Sequence, residues 1–230
     1  MSKTISREKL CKMFDHTNLK ADANQNDFET LCREARDNNC AMVAINSAHV
    51  ALCKTLLADC DVRVGAAISF PLGQTTLETK KIETLDAIEN GADEIDYVIN
   101  IGEVKNGNYA YIEQEMSELV SLCKEKGLIS KVIFENCYLT DEEIVKVAEI
   151  AKCVLPNFIK TSTGFGTHGA RVEHVKLMKD TVGDAVKVKA AGEVRSWETC
   201  RAMIEAGAER IGTSSMLQIL KEYDEATTKQ

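Results

Sequence analysis

Short runs of β-branched and small apolar residues recur along this chain, each followed by a longer stretch with helical apolar spacing. The runs at 13–17, 41–46, 62–69, 94–99, 131–135, 157–161, 185–190 and 209–212 predict eight strands. Stretches near 27–38, 48–58, 75–89, 109–126, 141–152, 170–180, 197–205 and 215–222 predict a helix after each. Strands alternating with helices imply βαβ units and a parallel α/β sheet. Eight such units close into a single (β/α)8 TIM barrel with a short N-terminal extension; a doubly wound open sheet is the alternative. Gly91-Ala-Asp-Glu-Ile95 and Gly207-Ala-Glu-Arg-Ile211 echo each other as a helix end followed by a strand. Thr140-Asp-Glu-Glu143 has the form of a capping box opening the fifth of these helices. The only prolines are Pro71 and Pro156, and no Gly/Ser-rich linker interrupts the pattern, so residues 1–230 read as one domain.

Composition narrows the function classes. The hydrophobic fraction of 44% is enough to build a full core, yet no apolar run of about 18 residues occurs to span a membrane. Met1-Ser-Lys-Thr-Ile-Ser6 lacks the apolar stretch of a secretory signal. Nine cysteines without Cys-x-x-Cys spacing suit reduced thiols in the cytoplasm better than a disulfide framework. A net charge of −8 argues against nucleic acid, and an anionic substrate would need a locally positive pocket. His16, His49, His168 and His174 show no ligand spacing and the cysteines are scattered, so a metal site is not expected.

In a barrel, chemistry gathers at the C-terminal ends of strands. Lys160 lies in the sixth strand candidate and Lys189 in the seventh, its barrel neighbour. A lysine in a barrel strand is costly unless paired or functional; the plain alternative is an outward side chain that snorkels to water. A lysine that forms a Schiff base must be a neutral amine, which requires its pKa to fall from about 10.4 to about 7. That fall is worth about 4.6 kcal/mol. A second cation about 4 Å away supplies about 4 kcal/mol at an effective dielectric near 20, and desolvation can add the rest. Glu94 and Asp96 share one strand face, which reads as a solvated strand start or, for Asp96, as a proton-transfer acid. Asp15 and Thr17 put polar groups on the same barrel face from the first strand. Glycine-bearing loops follow the last three strands: Gly164-Phe-Gly166, Gly192-Glu-Val-Arg195 and Gly212-Thr-Ser-Ser215. They suit either ordinary turns or an anion site in which Ser214 and Ser215 open a helix and Arg195 adds charge. Trp197 opens a helix and reads as packing.

With these residues in view, the chain resembles the deoxyribose-phosphate aldolases, a family of class I aldolases. The resemblance rests on Asp15-His-Thr-Asn-Leu19, Val64-Gly-Ala-Ala-Ile-Ser-Phe-Pro-Leu-Gly73, Gly91-Ala-Asp-Glu-Ile-Asp96, Phe158-Ile-Lys-Thr-Ser-Thr-Gly164 and Lys189-Ala-Ala-Gly192. These stretches span nearly the whole chain in the family's order. The resemblance implies reversible cleavage of 2-deoxy-D-ribose 5-phosphate to acetaldehyde and D-glyceraldehyde 3-phosphate. It implies Lys160 as the Schiff-base lysine, Lys189 as the lysine that lowers its pKa and Asp96 as the proton-relay acid. It implies phosphate on Gly164, Gly192, Arg195, Gly212, Ser214 and Ser215, and the sugar against Thr163. It implies small phosphosugar and aldehyde substrates and no metal or organic cofactor, and the family tends toward homodimers and homotetramers.

The chain also departs from that family. Ala44 stands where many members carry a cysteine in the second strand, so excess aldehyde is expected to inactivate it less. Glu193 replaces the second glycine of the usual Lys-x-x-Gly-Gly turn, setting a carboxylate beside the implied phosphate site unless it points outward. Lys187 replaces a usual glycine and by alternation shares the Lys189 face, with Glu94 as its expected partner and a retuned site as the consequence. The last residues, Thr227-Thr-Lys-Gln230, lack the terminal tyrosine some members use in proton exchange, leaving that step to water or Asp96. Two other readings stay open: another lysine-dependent barrel aldolase, and a phosphosugar-binding barrel that has lost catalysis.

Overall fold

The computed structural model describes residues 5–228; the readings of Met1–Thr4, Lys229 and Gln230 lie outside it. Its strands are β1 (Phe14–Asn18), β2 (Met42–Asn46), β3 (Arg63–Ile68), β4 (Glu94–Val98), β5 (Ile129–Ile133), β6 (Phe158–Lys160), β7 (Lys187–Ala191) and β8 (Ala208–Thr213). They pair in sequence order, all parallel, and β8 pairs back onto β1 to close the barrel. The open sheet is thereby excluded. The helices are α1 (Arg7–Cys11), α2 (Gln25–Asp37), α3 (Val50–Leu56), α4 (Leu77–Glu89), α5 (Ile101–Lys105), α6 (Tyr109–Glu125), α7 (Asp141–Val154), α8 (Val172–Val182), α9 (Trp197–Glu205) and α10 (Met216–Thr228). No helix among the described residues is long and apolar enough to cross a membrane.

Each expected helix is present, and two short ones join them. At five residues, α1 and α5 are too short to show a helical period. The N-terminal extension is α1, tied to the last helix where the Tyr223 hydroxyl donates to Ile5 O at 2.7 Å and Arg7 pairs with Asp224 at 3.1 Å. Thr140 caps α7 as its sequence suggests: Glu143 N donates to the hydroxyl at 3.2 Å, and Thr140 N donates to the Glu143 carboxylate at 2.7 Å. Trp197 packs edge-on against Tyr223.

The two faces of the barrel wall differ in chemistry because successive side chains on a strand point to opposite sides. Val43, Ile45, Val64, Ile95, Val132, Ile159, Val188 and Ile211 join the helices in one apolar cluster. Alternate positions turn inward and carry charge: Asp15, Glu94, Asp96, Lys131, Lys160, Lys189 and Arg210, all buried. Two glycines make room for them. A Cβ on Gly212 would lie 3.1 Å from Lys189 Cε, and one on Gly65 would lie 2.4 Å from Met42, whose sulfur receives Lys131 Nζ.

The echoed Gly-Ala-acid segments prove to be the same local device used twice. Gly91 and Gly207, both at positive φ, each sit beneath a lysine stem from the preceding unit, Lys54 and Lys179. Those lysines pair with Asp93 at 2.7 Å and Glu209 at 3.1 Å. The next residue in each segment, Glu94 or Arg210, then turns into the barrel, where the two come within 3.5 Å.

Candidate active site

Register alone brings the two predicted lysines together, since Lys160 on β6 is directly paired with Lys189 on β7. Both ammonium groups converge on one oxygen of Asp96, Lys160 Nζ at 3.0 Å and Lys189 Nζ at 2.7 Å from Oδ2. The other oxygen, Oδ1, accepts from Lys131 Nζ at 2.6 Å. Lys131 also meets Glu94 at 2.5 Å, and Lys189 reaches the Asp15 carboxylate. Arg210 Nη1 closes the network on Asp15 Oδ1 at 2.6 Å.

The cluster therefore sets four buried basic side chains against three buried carboxylates. A buried charge without a countercharge is costly, so one cation in excess makes loss of one proton favourable. Three members are held firmly charged. Asp96 lies well below the usual carboxylate range: burial opposes this, but Lys131, Lys189 and Lys160 outweigh it. Asp15 is lowered in the same way, against its burial, by Lys189, Arg210 and Lys131. Lys131 is raised despite burial by Asp96, Glu94 and Asp15. Lys160 goes the other way, down to about 8, through burial first and Lys189 second, with Asp96 partly opposing. The neighbouring cation, expected from sequence to dominate, comes second. Desolvation leads.

Above the cluster opens a cavity of about 380 Å³. Of the seven clustered side chains, Lys160 alone lines it; the other six lie beneath its floor. Thr17, Thr163, Gly164, Gly192, Arg195, Gly212 and Ser214 also line the cavity, as the sequence suggested. Two expected binding residues do not reach it. Asp15 is fully buried and engaged by Lys189 and Arg210. Ser215 is not among the lining residues, and its amide is already engaged by Thr213 Oγ1 at 2.9 Å.

Lys187 requires a correction. It shares the Lys189 face, but it enters at the opposite end of the strand, where its side chain is exposed and its ammonium sits 5.6 Å from the Phe158 ring centre. Glu94 is instead satisfied by Lys131, Arg63 and Arg210. Alternation gave the face and not the depth. Glu193 lines the cavity, yet its carboxylate accepts from Gly169 N at 2.9 Å and is held against the neighbouring loop.

Sequence reasoning passed over Lys131 and Arg210. Each left a signal: Lys131 occupies an inward position of β5, and Arg210 occupies in its segment the place Glu94 holds in the echo. It also passed over the α2 side of the cavity, where Lys20, Asp27 and Glu34 stand and His16 Nε2 lies 2.7 Å from Glu34.

The family model described as DeoC/LacD family aldolase matches residues 9–222. The chain belongs to that family. As a DeoC/LacD aldolase it is a lyase, and its relatives agree over nearly their full length. The deoxyribose-phosphate aldolase of Lactobacillus acidophilus is 57% identical over 90% of this chain and 88% of its own. That of Bacteroides thetaiotaomicron is 52% identical over 96% and 93%. The solved structure of the deoxyribose phosphate aldolase from Aeropyrum pernix, described as a unique tetramer, superposes with a TM-score of 0.89 at 29% identity, covering 96% of this chain and 93% of that one. Closed parallel barrels carry their chemistry at the C-terminal strand ends, and Lys160, the last residue of β6, lines the cavity at that end.

Proposed function

We propose that this chain is a class I aldolase that reversibly cleaves 2-deoxy-D-ribose 5-phosphate to acetaldehyde and D-glyceraldehyde 3-phosphate. The observation that carries the reading is that Lys160, the base that burial and Lys189 push toward its neutral form, is also the cluster member exposed to the cavity. Its neutral amine attacks the sugar's aldehyde carbon, and the carbinolamine loses water to leave a protonated imine. That imine draws electrons from the bond between the second and third carbons as the third-carbon hydroxyl gives up its proton. Glyceraldehyde 3-phosphate departs, the enamine takes a proton at carbon, and water releases acetaldehyde and the amine. Asp96, touching Lys160 and Lys189 through one oxygen, is placed to pass protons during imine formation and hydrolysis. Thr17 and Thr163 face the sugar, while Gly164, Gly192, Arg195, Gly212 and Ser214 offer the phosphate backbone amides and one cation. Residues 1–230 act as one catalytic domain in the cytoplasm, a placement supported by nine cysteines outside any disulfide. A homo-oligomer is supported by the tetrameric relative.

Borohydride reduction in the presence of acetaldehyde tests the reading. An ethyl group should appear on Lys160, at a rate that rises with pH and reaches half its plateau near 8, because the reactive form is the free amine. No added mass, or mass on another lysine, would overturn it. The two departures that favoured a non-catalytic binder leave the reacting amine undisturbed: Lys187 lies at the far end of the barrel, and the Glu193 carboxylate is bound to Gly169.

Ala44, buried in β2 beside Thr17 in the register, leaves no thiol there to trap an enal formed from excess acetaldehyde. The protein should outlast its Ala44→Cys variant in concentrated acetaldehyde, read as the half-life of activity. Equal half-lives would remove the thiol from the account.

A further inference from the structure

Five acidic side chains among the described residues are buried, and four of them, Asp15, Glu94, Asp96 and Glu115, pair with a lysine or arginine. Glu135, only 1% exposed, pairs with none of the described bases. It follows β5 with φ 56° and ψ 62°, a left-handed conformation that costs a non-glycine residue of order 1 kcal/mol or more. An acid buried without a base, on strained backbone, needs a compensating set of hydrogen bonds. All of those found go to one residue. Thr163 N donates to its two oxygens at 3.2 and 3.3 Å, and the Thr163 hydroxyl donates to Oε2. Thr163 Oγ1 in turn accepts from Phe165 N at 3.0 Å.

Thr163, Gly164 and Phe165 form the cavity wall immediately beyond Lys160. Their loop runs from β6 to α8, and its far end is fixed separately by Gly169 N on Glu193 and Ala170 N on Gly192 O. Its near end depends on Glu135. The packing there leaves no slack, since a Cβ on Gly166 would lie 3.2 Å from Glu135 Cδ and 2.4 Å from Cys137 Sγ.

We propose that Glu135 is a positioning residue for substrate: acting through Thr163, it fixes the loop segment 163–165 against which the phosphorylated end of the sugar binds. Among the described residues its carboxylate makes no hydrogen bond or ion pair with the lysine cluster, so its effect falls on binding of the phosphorylated substrate and not on amine chemistry. The inference rests on the proposed Lys160 reaction.

The test uses the full chain with Glu135→Ala, Glu135→Gln, Thr163→Val and the Glu135→Ala/Thr163→Val pair. Glu135→Ala should raise KM for 2-deoxyribose 5-phosphate about tenfold or more, as loss of charge-assisted hydrogen bonds to a binding wall would. Trapping of acetaldehyde on Lys160, which carries no phosphate, should keep its rate and its pH midpoint. Glu135→Gln, which retains one carbonyl acceptor for Thr163 N, should recover much of the KM. The double variant should be no worse than the poorer single one, because both remove the same link. A KM within twofold of wild type in both Glu135 variants, additive losses, or trapping that falls in step with KM would each overturn the proposal. Should Glu135→Ala not fold, Glu135→Gln and Thr163→Val still decide it through their KM values and trapping rates. Wild-type protein that traps no acetaldehyde would remove the aldolase reading itself, whereas wild-type trapping with an unmoved KM in the variants removes this inference alone.

Discussion

Replacing Lys160 with methionine is expected to abolish acetaldehyde trapping and to cut aldol cleavage on the order of 10⁴-fold or more, as removal of a covalent nucleophile does elsewhere. The fold should survive the change. Without Lys160 the cluster holds Lys131, Lys189 and Arg210 against Asp15, Glu94 and Asp96, so the charges balance and no buried carboxylate loses all its partners. A buried ammonium replaced by an apolar chain of similar length is neutral or stabilising when its partner remains satisfied. The melting temperature should therefore hold or rise. The sign of the pH dependence adds a second readout. In wild type the folded pKa of about 8 lies below the ordinary 10.5, so the unfolded chain keeps a proton that the folded one releases. Stability should then climb between about pH 8 and 10.5, and Lys160→Met should lose that climb. A variant that still cleaves substrate at a comparable rate would put the imine on another residue.

How far the sequence reaches can be judged from Lys160, Lys187 and Lys131. Lys160 and Lys189 were legible because barrel topology makes β6 and β7 neighbours, and the two-residue period then sets both lysines on one face. The same period misjudged Lys187. It assigns a face but not a height in the barrel, and height decides between the cavity floor and the solvent-exposed far end. Lys131 and Arg210 were missed for a related reason: their partners stand on other strands far along the chain, Asp96 being 35 residues from Lys131 and Asp15 195 residues from Arg210. Nothing local in either strand names such a partner. Glu135 was invisible for a third reason, since a left-handed residue after a strand leaves no mark in an apolar pattern when it is not glycine. The eight strands, by contrast, were placed to within two residues at every boundary, because each is a run of apolar or β-branched residues bounded by polar turns.

The charge balance that frees Lys160 also predicts that two substitutions beside it will shift its titration in opposite directions. Lys189→Met removes one cation, leaving three bases against three carboxylates, and the cluster then balances only if Lys160 keeps its proton. A charge about 4 Å away contributes about 4 kcal/mol at an effective dielectric near 20, so the pKa of Lys160 should rise by up to about 3 units. Near neutral pH the amine fraction, and with it trapping and turnover, should fall on the order of 10²-fold or more, with the rising limb of the pH profile displaced to alkaline pH. Raising the pH should restore much of the loss. Asp96→Asn removes an anion that now favours protonated Lys160, so the limb should move to acid pH instead. Turnover should still fall by about 10² to 10⁴, because the group that passes protons is gone. Two slow variants with limbs displaced in opposite senses fit electrostatic control of one amine. Two limbs displaced in the same sense would mean that both changes merely loosen the site, and burial alone would then have to account for the free amine.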